Sequence, residues 1–287
     1  MEERQLNEGI ERGFPAVCEN GQILKPLAVE RARLARTARG EQNSRILIID
    51  DDSESCEAAA RSLEAELFET ACIKKAAPFL KTVLFEAGQY DLIVLSLMLS
   101  EESGFELLKA IRSRFQTPIV VFAGRYKKMD GIRGLEMGAD AFMLKPFNPR
   151  VLVAHARAIL RRTKGALYDR EGLKPEKILV GDVELDTKSR VARRGGVRLN
   201  LTSVEFGFLE MLLGSAGQVI TSEQLAEDVL GRELLAYDRS VSVHVSNLRK
   251  KLGHRLGEIE RIKTMRGRGY IYMNPPGCSL HFEAGSG

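Results

Sequence analysis

The chain of 287 residues has no tryptophan, only four cysteines, and aromatic residues at 6%. Cys18, Cys56, Cys72 and Cys278 are scattered without a CxxC pair, so they support neither a disulfide framework nor a zinc site; buried or idle thiols are expected. Long apolar runs are missing as well. ILII (46–49) and LIVLSLML (92–99) fall far short of the ~20 residues that span a bilayer, so no membrane partner is expected. Met-Glu-Glu-Arg at the N-terminus has no apolar segment behind it, which argues against a secretory signal and for a cytoplasmic location. Charge of one sign is not in excess, with 43 Lys and Arg against 39 Asp and Glu. A composition of 44% hydrophobic and 29% charged excludes disorder throughout, and the length leaves room for two domains of roughly 100–200 residues each. A nucleophile paired with a base, a metal triad and a GxxxxGK loop are all missing, so an enzyme is not expected.

What is present begins at Arg45. Apolar runs ILIID (46–50), ETACI, DLIVL (91–95), PIVVF (118–122) and AFMLK (141–145) alternate with amphipathic stretches, the last from about Pro149 to Arg162. Strands apolar throughout, alternating with helices, predict a doubly wound α/β domain with a five-stranded parallel sheet covered on both faces. Its site is then at the carboxyl ends of the strands. Residues 164–176 are polar, with Gly165, Gly172 and Pro175, and read as a linker. Beyond it, strand-like pieces (ILVGDVELD, SRVARR, VRLN) precede helices at about 202–214, 222–230 and 238–253. A closing hairpin, ERIKT and YIYM around RGRG, completes an α+β domain over 177–275. Thr202 with Glu205 predicts a capping box, and Ser222 a second N-cap. Residues 1–44 read as disordered or a marginal helix, and 276–287 as a flexible tail.

Asp50, Asp51 and Asp52 follow the first strand where a helix begins. Capping and the helix dipole account for aspartate there, but three in a row also suit magnesium, and both readings stand on these residues alone. A second concentration of charge lies between Arg239 and Arg268, with nine basic residues against Glu258 and Glu260, or +7 in thirty residues. Such a cluster on a near-neutral chain suggests an anionic partner, a solvated face being the alternative.

ILIIDDD, YDLIVLSLMLSEESGFELL, PIVVFAG and GADAFMLKPF resemble, in order and spacing, the receiver domain of bacterial response regulators over 45–163, a flavodoxin-like fold. The resemblance implies that Asp50 and Asp51 occupy the metal-binding pair, and that Ser96 stands where an aspartate takes the phosphoryl group. Ala123 stands where a hydroxyl switches and Ser100 where proline is usual, while Lys145 and Pro146 are kept and Phe142 completes the degenerate phosphorylation site. A serine hydroxyl neither coordinates magnesium nor attacks phosphohistidine well without a base, so phosphorylation by a cognate histidine kinase is doubtful and magnesium binding is weakened or lost. An ion pair between Lys145 and Asp51, fixing one conformation, is the corresponding expectation. Ala141, Val151 and His155 replace an acid, an acid and a base on the face through which the family dimerises. A more apolar face favours a constitutive homodimer through the receiver.

Within DRSVSVHVSNLRKKLG (238–253), Val241, Val245, Leu248 and Leu252 form an apolar stripe, while Arg239, Val243, Ser246, Asn247 and Lys250 point away from it and His244, Arg249 and Lys251 flank it. Small and amide side chains ringed by cations suit a major groove, and Arg266 and Arg268 at a glycine-rich tip suit a minor groove. LTSVEFGFLEMLL, GQVITSEQLAEDVLG, RSVSVHVSNLRKKLG and IERIKTMRGRGYIY resemble the winged helix-turn-helix domain of the OmpR/PhoB family. That resemblance implies base reading by Ser242, Val243, Ser246 and Asn247, backbone or groove contacts by Arg239, His244, Arg249 and Arg266, and an RNA polymerase contact through loop 231–238. Arginine is frequent in relatives where Ser246 and Asn247 stand, so specificity does not transfer. The expectation is a bacterial regulator of the two-component type that binds double-stranded DNA independently of phosphorylation. The alternatives are a receiver answering to a small ligand, partner protein or other modification, and a protein-interaction adaptor that binds no DNA.

Overall fold

The computed structural model describes residues 44–74, 89–100, 103–124, 127–163, 175–234, 238–274 and 281–283. The N-terminal extension up to 43, the helix expected before DLIVL, most of the linker and part of loop 231–238 lie outside the described residues.

Five strands build the first domain: β1 (Arg45–Ile49), β2 (Glu69–Ile73), β3 (Leu92–Ser96), β4 (Ile119–Ala123) and β5 (Ala141–Leu144). They pair in parallel in the order β2-β1-β3-β4-β5. RILII, LIVLS and IVVFA are apolar at successive positions because the sheet is covered on both faces. Ile46 and Ile48 pack against Cys56, Ala59 and Leu63 of α1 (Ser53–Glu64) and against Leu152, Ala156 and Ile159 of α4 (Pro149–Thr163). Leu47 and Ile49 point the other way, to Leu107, Leu108 and Ile111 of α2 (Gly104–Arg112) and to Ile132 and Leu135 of α3 (Lys128–Glu136). Gly104 lets α2 begin directly against the end of β3, since a Cβ there would lie 2.3 Å from the Ser96 carbonyl oxygen.

In the second domain β6 (Lys177–Val180), β7 (Val183–Asp186), β8 (Val191–Arg194) and β9 (Val197–Arg198) form an antiparallel meander. Three helical segments follow: α5 (Ser203–Gly214), then α6 (Ser222–Gln224) running on into a π-helical stretch over Leu225–Leu230, and α7 (Ser240–Leu252). β10 (Val219–Ile220) pairs with the closing wing, whose strands Ile262–Met265 and Gly269–Tyr272 form an antiparallel hairpin. Val241, Val245, Leu248 and Leu252 of α7 meet Phe208, Leu209 and Leu212 of α5 in the domain core, as their helical spacing predicts. Thr202 and Glu205 form the expected capping box. The second cap is Thr221 rather than Ser222: its hydroxyl accepts from the Gln224 amide while the Gln224 side chain answers to the Thr221 amide. Glutamine at the third helical position serves this motif as glutamate does, which a search for an acid alone passes over. The tail is not uniformly free of structure, because His281–Glu283 pairs antiparallel with β6 and extends the edge of the meander.

The two domains are in contact, and α7 lies against α3 of the first domain.

Candidate functional site

At the carboxyl edge of the parallel sheet the acidic residues are already engaged. Asp50 is fully buried, and the Lys145 ammonium reaches its two carboxylate oxygens at 2.5 and 2.7 Å. This corrects the expected Lys145–Asp51 pair. Asp50 continues β1 into the interior, toward Lys145 at the end of β5, whereas Asp51 turns outward to the segment after β3. There one Asp51 oxygen accepts from both the backbone N–H and the hydroxyl of Ser100, each at 2.6 Å. Proline at that position would bring neither donor. Burial raises the Asp51 pKa, but the hydrogen bonds from Ser100 outweigh it and hold the carboxyl below its ordinary value. Asp52 takes the capping role, accepting from the amides of Glu54 and Ser55.

Ser96 is fully buried, its hydroxyl directed to the Met98 carbonyl at 3.4 Å, and Ala123 is buried beside it on β4. Phe142 lies with its ring against Gly131 of α3, where a Cβ would come within 2.3 Å of it. Magnesium demands a near-octahedral set of oxygens. With Asp50 on Lys145, Asp51 on Ser100 and a serine in the third place, these residues do not fit that ion.

The candidate nucleic-acid surface divides. On α7, Ser242, Ser246 and Lys250 are exposed in one row with Arg239 at its N-terminal end, and Lys263, Arg266 and Arg268 are exposed on the wing. Arg249 is half-buried and braces the wing, donating to the Ile262 carbonyl at 2.7 Å and to the Thr264 hydroxyl at 2.7 Å. His244, expected at a phosphate, is 1% exposed and meets Phe208 edge-on, ring centroids 5.6 Å apart. Its helical position turns it into the crowded space between α7 and α5 and not toward a ligand.

Val243 and Asn247 are buried, yet not by their own domain. Val243 joins the apolar cluster on the α2 and α3 side of the receiver sheet, and Asn247 donates through Nδ2 to the Leu135 carbonyl at 2.9 Å. A second link runs from the Val204 amide to Asp140 Oδ1 at 3.2 Å. Asp140 is itself fixed, its other oxygen accepting from the Ile119 amide at 2.9 Å and from Arg112 at 2.7 Å. Burial lowers the Arg112 pKa, Asp140 acting against it. Farther along, Gly231 touches Ala158 so closely that a Cβ on the glycine would lie 2.2 Å from the alanine Cβ.

The surface expected to dimerise is therefore used within the chain. Ala141, Phe142 and His155 face Leu230, Arg232 and Ser240 of the second domain, while Val151 stays exposed. In loop 231–238, Asp238 accepts from Arg232 and from the Ser240 amide and hydroxyl, fastening the start of α7.

Two family models match this chain: the response regulator receiver domain over residues 46–157, and the C-terminal domain of transcriptional regulatory proteins over 196–272. The transcriptional regulatory protein CpxR of Escherichia coli is 36% identical over 232 residues, which is 80% of this chain and 99% of that protein. The DNA-binding response regulator MtrA of Mycolicibacterium smegmatis is 36% identical over 226 residues, 79% of this chain and 95% of that one. Among solved structures, a RitR mutant superposes with a TM-score of 0.62 over 81% of this chain and all of its own, at 24% identity, a likeness of fold.

Proposed function

The chain belongs to the OmpR/PhoB family of response regulators and is a transcription regulator with a DNA-binding domain, and on that premise we propose that it works without phosphorylation, its receiver covering the DNA-reading helix until the domains part. The observation that carries this is the closed state of the acidic pocket: Ser96 in the acceptor place, Asp50 held by Lys145 and Asp51 held by Ser100. A phosphoryl group arriving there would find no carboxylate to receive it, no metal to neutralise it and no hydroxyl at 123 to pull on.

Base reading falls to Ser242, Val243, Ser246 and Asn247, with Arg239, Lys250, Arg266 and Arg268 on the phosphates or in the minor groove. Val243 and Asn247 serve the receiver contact and the DNA contact in turn, so the two are mutually exclusive. The homodimer through Ala141, Val151 and His155 uses the same receiver face as the closed chain, so it forms only once the effector domain has moved off. Loop 231–238, freed by the same movement, is the RNA polymerase contact.

Titration of the purified protein against fragmented genomic DNA, with and without magnesium and beryllofluoride, with mass followed by light scattering, tests the reading. Selective binding by a dimer, unaffected by beryllofluoride, is expected. Tightening by beryllofluoride would mean that another carboxylate accepts the phosphoryl group and would overturn phosphorylation independence. Salt-dependent binding also separates the reading from a protein adaptor, which would show none.

A further inference from the structure

Two of the four cysteines, 16 residues apart in sequence, meet in space. Cys56 sits in the first half of α1, fully buried against β1, and Cys72 lies on β2 and is exposed. The Cys72 Sγ lies 4.0 Å from the Cys56 carbonyl oxygen, so the side chain of β2 reaches the backbone of α1 at the other cysteine. Cys56 is buried as expected, while Cys72 is not.

From this juxtaposition we infer that Cys56 and Cys72 are a redox-modifiable pair, which closes to an intramolecular disulfide when a hydroperoxide oxidises Cys72. The roles follow from position. Cys72 is the sulfur solvent can reach, and Lys74, two residues on, carries a positive charge beside it while paired with Glu57 of α1 at 3.0 Å. The neighbouring Cys56 thiol, against the opposing effect of burial, holds the Cys72 thiol below its ordinary value, with Lys74 adding to it; the same proximity and burial push Cys56 up. Exposure and the neighbouring positive charge make Cys72, once it gives up its proton, the attacker, and buried Cys56 the resolving partner.

The Cys72 thiolate attacks the near peroxide oxygen, the O–O bond breaks, and the departing alkoxide or hydroxide takes up a proton, leaving a sulfenic acid. Cys56 then attacks the Cys72 sulfur, the S–O bond breaks, and water leaves with the Cys56 proton. Two thiols lose two electrons and the peroxide gains them. Bringing the sulfurs to bonding distance, about 2.05 Å, requires local movement. β2 can supply it, being an edge strand that, among the described residues, is hydrogen-bonded to the sheet through β1 alone. The inference concerns this edge of the receiver and does not depend on how DNA is bound.

The test uses the full chain with Cys18→Ser and Cys278→Ser, reduced and then titrated with hydrogen peroxide, alkylated in denaturant and weighed intact. The expected result is a species about 2 Da lighter that resists alkylation, releases a linked peptide pair on digestion, and returns with dithiothreitol. Adding Cys56→Ser should leave a sulfenic acid on Cys72 that dimedone traps, and adding Cys72→Ser should slow oxidation at least tenfold. Sulfinic or sulfonic acid on Cys72 with Cys56 still open to alkylation would overturn the inference, as would oxidation of the Cys72→Ser protein at the parent rate.

Discussion

Replacing Ala158 by glutamate should uncover the DNA-reading helix without touching a residue that faces DNA. Ala158 lies on α4 opposite Gly231, and the contact has no room for even a second Cβ. A carboxylate there must either be buried without a partner, at a cost of several kcal/mol, or part the domains. What resists parting can be summed from the contacts. The Asn247–Leu135 hydrogen bond contributes about 1 kcal/mol, the charge-assisted Val204–Asp140 bond about 1.5–3, and the burial of Val243 about 1.5–3. Against this gross of about 4–7 kcal/mol stands roughly 2–4 for ordering side chains and restraining a tethered domain. The difference spans about 0–5 kcal/mol, and its midpoint near 2.5 kcal/mol corresponds to a closed-to-open ratio of about 70. Apparent affinity scales with the open fraction, so Ala158→Glu should tighten DNA binding by about that factor, read by fluorescence anisotropy on a duplex selected from genomic fragments. Small-angle scattering reports whether the domains have separated. Separation with unchanged affinity would refute the reasoning, because the receiver would then not be what covers the helix.

Lys145→Ala leaves the Asp50 carboxylate buried without its cation and should lower receiver stability by about 2–3 kcal/mol, less than for a wholly buried pair because the lysine side chain keeps 19% exposure; an unchanged urea midpoint would sink it. The double variant Ser96→Asp/Ser100→Pro restores an acceptor and removes both donors from Asp51, so it should take up beryllofluoride in magnesium, seen as an added mass or fluorine signal, where the parent does not. Failure would locate the block at Lys145 or Ala123. In the second domain, the bidentate Arg261 guanidinium, at 2.5 and 2.7 Å, holds Asp182 below its ordinary 3.8, with burial opposing. Its stabilisation is complete above that ordinary value and is lost as pH falls below 3.8 toward the lower folded value. Thermal melts should therefore show Asp182→Asn less stable at pH 7, with the difference shrinking in acid; a difference constant with pH would remove the ion pair from the account.

Most of the fold was legible because it rests on local pattern. The interior strands β3 and β4 are buried at every position, and a run such as LIVLS announces that without knowledge of its neighbours. The Thr202 capping box and the apolar stripe of α7 are likewise contained within a few residues of sequence. Features that depend on register were not legible. That Cys72 reaches Cys56 follows from the pairing of Ile48 with Cys72 and from the face α1 turns to β1, neither of which the spacing of cysteines reveals. The choice between Asp50 and Asp51 as partner of Lys145 is of the same kind, since a strand turns adjacent side chains opposite ways. His244 was misplaced because a histidine on the border of an apolar stripe suits a core edge and a phosphate equally by angle, and Phe208 on α5 decides it.

Val243 and Asn247 present a deeper ambiguity. A helix that enters a major groove needs small apolar and amide side chains in its middle so that the backbone can approach closely, and a helix that docks on another helix needs the same. The sequence of α7 therefore specifies a face that something covers, without specifying what. The exposed row of Ser242, Ser246 and Lys250 beside the buried Val243 and Asn247 leaves half of the helix face open while the receiver covers the other half. The receiver takes the apolar and amide half and leaves the serines and cations in water, where on the proposed reading they would meet DNA phosphates before the domains part. Encounter with DNA could then precede opening, so the receiver contact would set how often encounters become complexes and not how often they occur.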